Sequence, residues 1–169
     1  MIASGSEKRI GIMNTRRISL EIREGVTKSF NDLVLDYTGT LSMDGMLLPG
    51  VAERLTTLSR SIRITVLTAD TFGKAERQLA GLPAQVSIIR NGTDKADFVR
   101  RLGPERVIAI GNGRNDVPMM AQAGLRIAVV GPEGAAMELL QATDIVVTDI
   151  LHALDLIANP LRVKAALRD

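Results

Sequence analysis

Short apolar runs alternate with amphipathic stretches along most of the chain. From Leu33 onward, the runs hold four to six residues rich in Val, Ile and Leu, which is the length and composition of buried strands. They are LVLD (33–36), IRITVL (62–67), VSII (86–89), RVIAI (106–110), RIAVV (126–130) and DIVV (144–147). Strands of this kind are typical of a parallel sheet that is covered on both faces.

Helical periodicity fills the intervals between these runs. Pro49 opens the first helix, in which Val51, Leu55 and Leu58 share one face. Further helices are expected over 72–80, 94–102, 117–123 and 134–142, and over a tail, 150–167, that is broken at Pro160. The alternation of strands and helices predicts a doubly wound, Rossmann-like α/β fold with a mainly parallel sheet.

The amino-terminal part of the chain follows a different pattern. Residues 1–16 show neither apolar period, and we interpret them as a flexible leader. The stretch ISLEI (18–22) alternates as a half-buried strand does, and Glu24-Gly25 predicts a turn before the chain resumes near Phe30. We expect a β-hairpin added to a sheet edge, within a single domain over 17–169.

Composition narrows the chemistry that the chain can perform. There is no cysteine, and His152 is the single histidine, so thiolate nucleophiles and histidine clusters are excluded and oxygen ligands must serve. A net charge of +2 with 2% aromatic residues does not predict a nucleic-acid surface. The sequence has neither an apolar run of membrane length nor a signal peptide, so no membrane association and a cytoplasmic location are expected.

Polar side chains follow the predicted strands where they end. Asp36 ends the first strand of the regular region, Thr68 and Asp70 follow the second, and GNGRND (111–116) follows the fourth, while Lys95 lies in the helix before that fourth strand. In an open parallel sheet these carboxyl ends share the edge where ligands bind. Taken singly, each has another explanation: a turn residue, a helix cap or a solvated charge. For Asp70, a helix cap and a role in fixing Lys95 or a metal shell both stay open.

Together these residue types suit phosphoryl transfer. A carboxylate nucleophile needs a hydroxyl and backbone amides to hold the phosphoryl oxygens, a lysine to offset charge, and a divalent cation between two anions. Asp36, Thr68, Lys95, Asn112 and Asp116 would supply those parts. The pattern predicts an anion site at this edge of the sheet.

The stretches DYTGT (36–40), VLTAD (66–70) and GNGRND (111–116), with Lys95 between the last two, resemble the four motifs of the haloacid dehalogenase superfamily of aspartyl phosphotransferases. The resemblance spans 33–147. Thr38 and the LTAD stretch further resemble the phosphorylation domain of P-type ATPases, whose motifs read D-K-T-G-T and T-G-D. The chain is therefore similar to the soluble, P-type-ATPase-like phosphatases of this superfamily.

The resemblance implies roles for individual residues. Asp36 would be the nucleophile that forms an aspartyl-phosphate, Thr68 would hold the phosphoryl oxygens, and Lys95 would bridge them to Asp36. Thr38 stands where most phosphatases of the superfamily have an acid-base aspartate, and a threonine hydroxyl is no base near neutral pH. Slow turnover is therefore expected, because general acid-base help contributes about 10²- to 10⁴-fold.

The resemblance also implies an Mg2+ cofactor. Its ligands would be the Asp36 carboxylate, the backbone carbonyl of Thr38, Asn112 and, directly or through water, Asp116. Asn112 replaces a carboxylate ligand of the family, which removes one negative charge and predicts weaker Mg2+ binding. Arg114 is open as a contact to a substrate anion or as a solvated loop residue.

The intervals between the motifs leave no room for a cap domain. Residues 42–50 suffice only for a small hairpin flap with its turn at Asp44-Gly45. An uncapped site admits a phosphorylated small molecule or a phosphoprotein, and capless relatives often form homo-oligomers. A catalytically weak phosphate-binding or phosphoacceptor regulatory module stays open as the alternative function.

Overall fold

The computed structural model describes residues 16–70 and 73–168. The leader predicted over 1–16 and Phe72, at the start of a predicted helix, lie outside them, apart from Arg16. The strands are β1 (Ile18–Arg23), β2 (Val26–Phe30), β3 (Asp32–Asp36), β4 (Ser42–Met43), β5 (Met46–Leu47), β6 (Arg63–Thr68), β7 (Gln85–Ile88), β8 (Val107–Gly111), β9 (Leu125–Val129) and β10 (Ile145–Val147). The helices are α1 (Val51–Leu58), α2 (Lys74–Leu79), α3 (Gly92–Leu102), α4 (Val117–Met120), α5 (Met137–Gln141), α6 (Ile150–Ala158) and α7 (Pro160–Leu167).

Six strands form the central sheet in the order β10-β9-β8-β3-β6-β7, and all neighbouring pairs are parallel. The predicted doubly wound α/β fold is confirmed. The chain leaves β3 toward β6 and β7, and then returns to the other side of β3 with β8, β9 and β10. The strand order thus reverses beside β3, which is where such sheets bind their ligands.

Both faces of the sheet are covered by apolar side chains. Successive residues of β3 point to opposite faces, so Leu33 and Leu35 enter one core cluster and Val34 enters the other. The first cluster includes buried residues of α1 and α6, and the second those of α3 and α4. Every residue of β3 is buried, which fixes the position of its last residue, Asp36.

The amino-terminal hairpin does not extend the central sheet, and the prediction of its addition to a sheet edge is wrong. β1 and β2 form a separate antiparallel pair that packs beside α7. Leu20 and Phe30 lie on one face of this hairpin and are fully buried in the core. Lys164 of α7 pairs with Glu21 at 2.9 Å. The apolar face of the hairpin therefore places it on a helix, and no backbone pairing with the sheet is needed.

Helix ends differ from the predicted ones where a local cap or turn intervenes. α3 begins two residues early because the Asn91 side chain accepts a hydrogen bond from the Asp94 amide at 3.0 Å. α5 begins late because Gly134, at φ +78°, forms a tight turn with Gly131. The tail is broken between α6 and α7 at Pro160, as predicted. None of the described helices is both long and apolar enough to cross a membrane.

A small flap follows β3. β4 and β5 pair in antiparallel fashion, and Asp44 (φ 52°) and Gly45 (φ 80°) make the turn between them, as two-residue hairpin turns of this type require. In the described residues, only this flap and α1 lie between β3 and β6. Between β3 and β6, the carboxyl edge of the sheet therefore carries a small hairpin and no cap domain.

Candidate active site

Lys95 joins two carboxylates from different strands. Its Nζ lies 2.5 Å from Oδ1 of Asp36, at the end of β3, and 2.6 Å from Oδ1 of Asp116, in the loop after β8. All three side chains are almost completely buried, with exposed fractions of 1%, 7% and 0% for Lys95, Asp36 and Asp116. The ammonium thus holds Asp36 in one orientation at the carboxyl edge of the sheet.

The cluster carries one negative charge more than positive. Burial and the charge of Asp116 raise the pKa of Asp36 to about 7, although Lys95 and the Thr40 hydroxyl act in the opposite direction. Burial alone would lower the pKa of Lys95, but the charges of Asp36 and Asp116 hold it above its ordinary value. Lys95 therefore stays charged, and added positive charge would favour the ionised form of Asp36.

Asp116 organises the loop that contains it. Its Oδ2 accepts hydrogen bonds from the backbone amides of Asn112 (3.1 Å) and Gly113 (2.9 Å). Gly111 packs against this carboxylate, and a Cβ on Gly111 would lie 2.5 Å from Oδ2. Both carboxylate oxygens of Asp116 therefore have partners, and the side chain holds Lys95 and the backbone amides of Asn112 and Gly113 in place.

Thr40 was not assigned a role from the sequence, although it is the last residue of the DYTGT motif. Its Oγ lies 3.1 Å from Asp36 Oδ2 and 3.1 Å from Asn112 Oδ1. A hydroxyl has one proton, so it donates to one of these oxygens at a time. Gly39, at φ +75°, precedes it, and a Cβ on Gly39 would collide with the Asn112 side-chain nitrogen. This turn therefore brings Asp36 and Asn112 to one hydroxyl.

Thr68 and Thr38 flank the Asp36 carboxylate differently. Leu67 of β6 pairs with Asp36 of β3, so Thr68 lies one residue farther along the same edge. Thr68 is buried, and its hydroxyl accepts a hydrogen bond from the Asp70 amide at 3.2 Å. Thr38 is exposed, so a hydroxyl faces solvent at the position that the resemblance gives to an acid-base group.

Asp70 caps α2. Its two carboxylate oxygens accept hydrogen bonds from the amides of Ala75 (3.0 Å) and Glu76 (3.2 Å). Burial alone would raise the pKa of Asp70, but these backbone hydrogen bonds hold it below its ordinary value. Of the two roles left open by the sequence, the observed contacts are those of the cap.

Arg114 and His152 take no part in the cluster. Arg114 is exposed and pairs with Glu138 at 2.8 Å, which favours the solvated-loop interpretation over a contact to substrate. His152 lies exposed on α6. The histidine that the sequence offers is thus outside this site.

The oxygen donors at this edge fit a hard cation. The described residues contain no group of three or more His, Cys, Asp or Glu side chains suited to a metal ion. Asp36 and the Asn112 amide oxygen lie around the same Thr40 hydroxyl, and the Thr38 carbonyl accepts no hydrogen bond from the described part of the chain. With the excess negative charge of the cluster, these donors suit Mg2+ completed by water.

Comparison with known proteins identifies the family. The family sequence model of the haloacid dehalogenase-like hydrolases matches residues 64–150, which is more than half of the chain and includes Thr68, Lys95, Asn112 and Asp116. The chain belongs to the haloacid dehalogenase-like hydrolases. Membership of the superfamily and the enzyme class, a hydrolase, are as the sequence motifs predicted. An uncharacterized protein of Methanocaldococcus jannaschii is 49% identical over 65 residues, which cover 38% of this chain and 70% of that protein.

Solved structures share the fold. The 3-deoxy-D-manno-octulosonate 8-phosphate phosphatase of Moraxella catarrhalis, crystallised with magnesium, phosphate and its sugar, has a TM-score of 0.66 at 17% identity, over 80% of this chain and 90% of its own. The cobalt-bound phosphatase of the same type from Haemophilus influenzae has a TM-score of 0.63 at 19% identity, over 80% and 88%. At these identities the likeness establishes the fold alone.

Proposed function

We propose that the chain is a magnesium-dependent phosphatase that works through an aspartyl-phosphate on Asp36. The observation that carries this proposal is the buried Lys95 ammonium, 2.5 Å from the Asp36 carboxylate at the ligand-binding edge of the sheet. A fixed cation at a carboxylate both orients it and offsets the charge of an approaching phosphate. Membership of the hydrolase family supports the same chemistry.

In the proposed reaction, a carboxylate oxygen of Asp36 attacks the phosphorus atom of a phosphate monoester. The bond from phosphorus to the leaving oxygen breaks, and that oxygen takes a proton from solvent. Thr68 donates its hydroxyl to a phosphoryl oxygen while Lys95 remains beside Asp36. Water then attacks phosphorus, its proton leaves to solvent, and Asp36 and inorganic phosphate are released.

We assign the Mg2+ ligands to the Asp36 carboxylate, the Thr38 carbonyl and the Asn112 amide oxygen. When bound, Mg2+ would supply positive charge that reduces the repulsion between the Asp36 carboxylate and the phosphoryl oxygens. The sequence motifs also gave Asp116 to the metal. Its carboxylate is already engaged by Lys95 and two backbone amides, so we assign it contact through water only.

The proposed enzyme is slow and of the P-type-ATPase-like kind. Thr38 is exposed and offers no carboxylate to protonate the leaving group or activate water. The missing acid-base help corresponds to about 10²- to 10⁴-fold in rate. We therefore expect the aspartyl-phosphate on Asp36 to be comparatively durable.

The proposed substrates are phosphorylated small molecules or phosphoproteins, in the cytoplasm and without nucleic-acid or membrane partners. The small flap leaves the edge of the sheet open, and a neighbouring copy of the chain would cover it in a homo-oligomer. Sedimentation at micromolar concentration tests that expectation, because a monomer alone would reject it.

The test is phosphate release from phenyl phosphate with Mg2+ or with chelator, by wild type and by Asp36→Asn. Asp32→Asn is the matched control, because Asp32 begins the same strand, at the opposite edge of the sheet, where it pairs with Arg63. We expect Mg2+-dependent release that Asp36→Asn abolishes and Asp32→Asn retains per folded molecule. Equal release by wild type and Asp36→Asn would reject Asp36 as the nucleophile.

A phosphoacceptor regulatory module is the second candidate function, because the exposed Thr38 offers no carboxylate to activate the water that would hydrolyse the aspartyl-phosphate. Treatment with acetyl phosphate, followed by intact-mass measurement, separates the two functions. A phosphorylated wild type that turns over supports the phosphatase. Stable phosphorylation at Asp36 without any release of phosphate from phenyl phosphate would favour the regulatory module.

A further inference from the structure

A cleft opens beside the proposed phosphoryl site. It has a volume of about 220 Å³ and lies between the flap turn at Gly45 and the end of β6. Thr68, which is buried, lines its inner part, and Lys74, which is exposed, lines its outer part; Thr38 and Asp70 also belong to its lining. Since a phosphoryl group held by Thr68 would lie at the inner part, the outer part is where the alcohol portion of a substrate would extend.

Lys74 brings a positive charge to this outer part. Its aliphatic stem packs on the flap, because a Cβ on Gly45 would lie 2.9 Å from Lys74 Cδ and 3.5 Å from Nζ. Over 16–70 and 73–168, no hydrogen bond or ion pair engages its ammonium. Asp70 lines the same cleft, but its carboxylate is engaged by the amides at the start of α2.

The flap wall that supports Lys74 is fixed from three sides. The Tyr37 hydroxyl donates to the Gly45 carbonyl at 2.9 Å. The Asp44 amide donates to Glu133 Oε1 at 2.8 Å, and the Leu47 amide donates to Gln78 Oε1 at 3.1 Å. A stem that lies across a fixed wall keeps the Lys74 ammonium at the mouth of the cleft.

We propose that Lys74 is a specificity-determining residue that binds a carboxylate carried by the leaving group of the substrate. The inference rests on the proposed phosphatase function and specifies its substrate class: phosphate monoesters whose alcohol portion bears a carboxylate. One ammonium beside the Asp70 carboxylate matches a single negative charge. A second phosphate would bring up to two negative charges to the same place, and the Asp70 carboxylate would repel them more strongly than the single charge of a carboxylate.

The kinetic test compares phenyl phosphate with 3-carboxyphenyl phosphate at fixed free Mg2+. Lys74→Ala should raise KM for the carboxylated ester about two- to fivefold, which is the range for an exposed ion pair. The value of kcat and the KM for phenyl phosphate should not change, and Lys74→Arg should keep the preference. Arg60→Ala removes the same charge at the opposite edge of the sheet, between α1 and β6, and should behave as wild type.

A binding test is independent of turnover. Methylphosphonate and phosphonoacetate differ by a carboxylate, and each is titrated into wild type, Lys74→Ala and Arg60→Ala at the same free Mg2+. Wild type and Arg60→Ala should bind phosphonoacetate more tightly, and Lys74→Ala should lose that difference. A preference that survives in Lys74→Ala, its absence in wild type, or an equal loss for both ligands overturns the proposal. Failure to hydrolyse either ester would instead count against the phosphatase function, whatever the phosphonates show.

Discussion

Replacing Lys95 by methionine tests the central cluster through stability alone. Methionine fills much of the same volume but leaves the carboxylates of Asp36 and Asp116 buried beside each other with no cation. Removing one partner of a buried ion pair costs about 3 to 5 kcal/mol. For a urea slope of about 2 kcal/mol/M, the unfolding midpoint should fall by about 1.5 to 2.5 M.

The assay is urea unfolding in chelator, followed by circular dichroism at pH 7 and at pH 4. The pKa of Asp36, which burial and the charge of Asp116 already raise to about 7, should rise further in Lys95→Met, so Asp36 is protonated in the folded state at pH 4. The loss of stability is therefore largest at pH 7 and smaller at pH 4. Adding Asp36→Asn to Lys95→Met should restore part of the lost stability, because an amide is neutral at pH 7, whereas the Asp36 carboxyl must take up a proton on folding to avoid a buried charge without a cation.

Lys164→Met is the matched control. It removes an ammonium from the pair with Glu21, in which the Lys164 side chain is 52% exposed. Such an exposed pair contributes little to stability, because solvent and salt screen it. If Lys95→Met lowered the unfolding free energy at pH 7 by no more than Lys164→Met, the reasoning about a buried, charged cluster would be refuted.

Three further predictions concern Asp36, Asn112 and Thr38. The pKa of Asp36 rises from 3.8 to about 7 on folding, so between these values the folded state keeps a proton that the unfolded state has lost. In chelator, the unfolding free energy of wild type should therefore fall from pH 4 to pH 7 relative to that of Asp36→Asn. Parallel pH profiles of the two proteins would contradict this. Asn112→Asp should tighten Mg2+ binding at least severalfold in calorimetry, with an unchanged affinity arguing against a direct ligand. Thr38→Asp should raise phosphate release from phenyl phosphate by about 10²-fold or more, and a rate equal to wild type would show that acid-base help does not limit turnover.

Much of the fold was predictable because its strands are local features. The ends of all six sheet strands lie within one residue of the predicted ones, since each is a short β-branched run bounded by polar or turn residues. The flap turn at Asp44-Gly45 was predictable for the same reason. The hairpin position was not, because alternation shows which face of β1 is apolar but not which element covers that face.

The candidate site divides in the same way. Asp36, Thr68, Asn112 and Asp116 could be placed at this edge from the sequence, because each ends a predicted strand or lies in the loop after one, and such ends meet at one edge. Lys95 was identified by its position between the VLTAD and GNGRND motifs. Thr40 and Lys74 were missed, since a hydroxyl after a glycine and a lysine at a helix start have no distinctive pattern of their own.

The sequence by itself determined the order of strands and helices, the oxygen-only chemistry and the residues at the active edge. These follow from apolar periodicity, from residue types and from the rule that parallel strands end together. Only the tertiary structure decided that Lys95 lies between Asp36 and Asp116, which are 59 and 21 residues away along the chain. It also placed Lys74 on the flap and the hairpin on α7. Contacts over such separations depend on how helices pack on the sheet, and no local pattern specifies that packing.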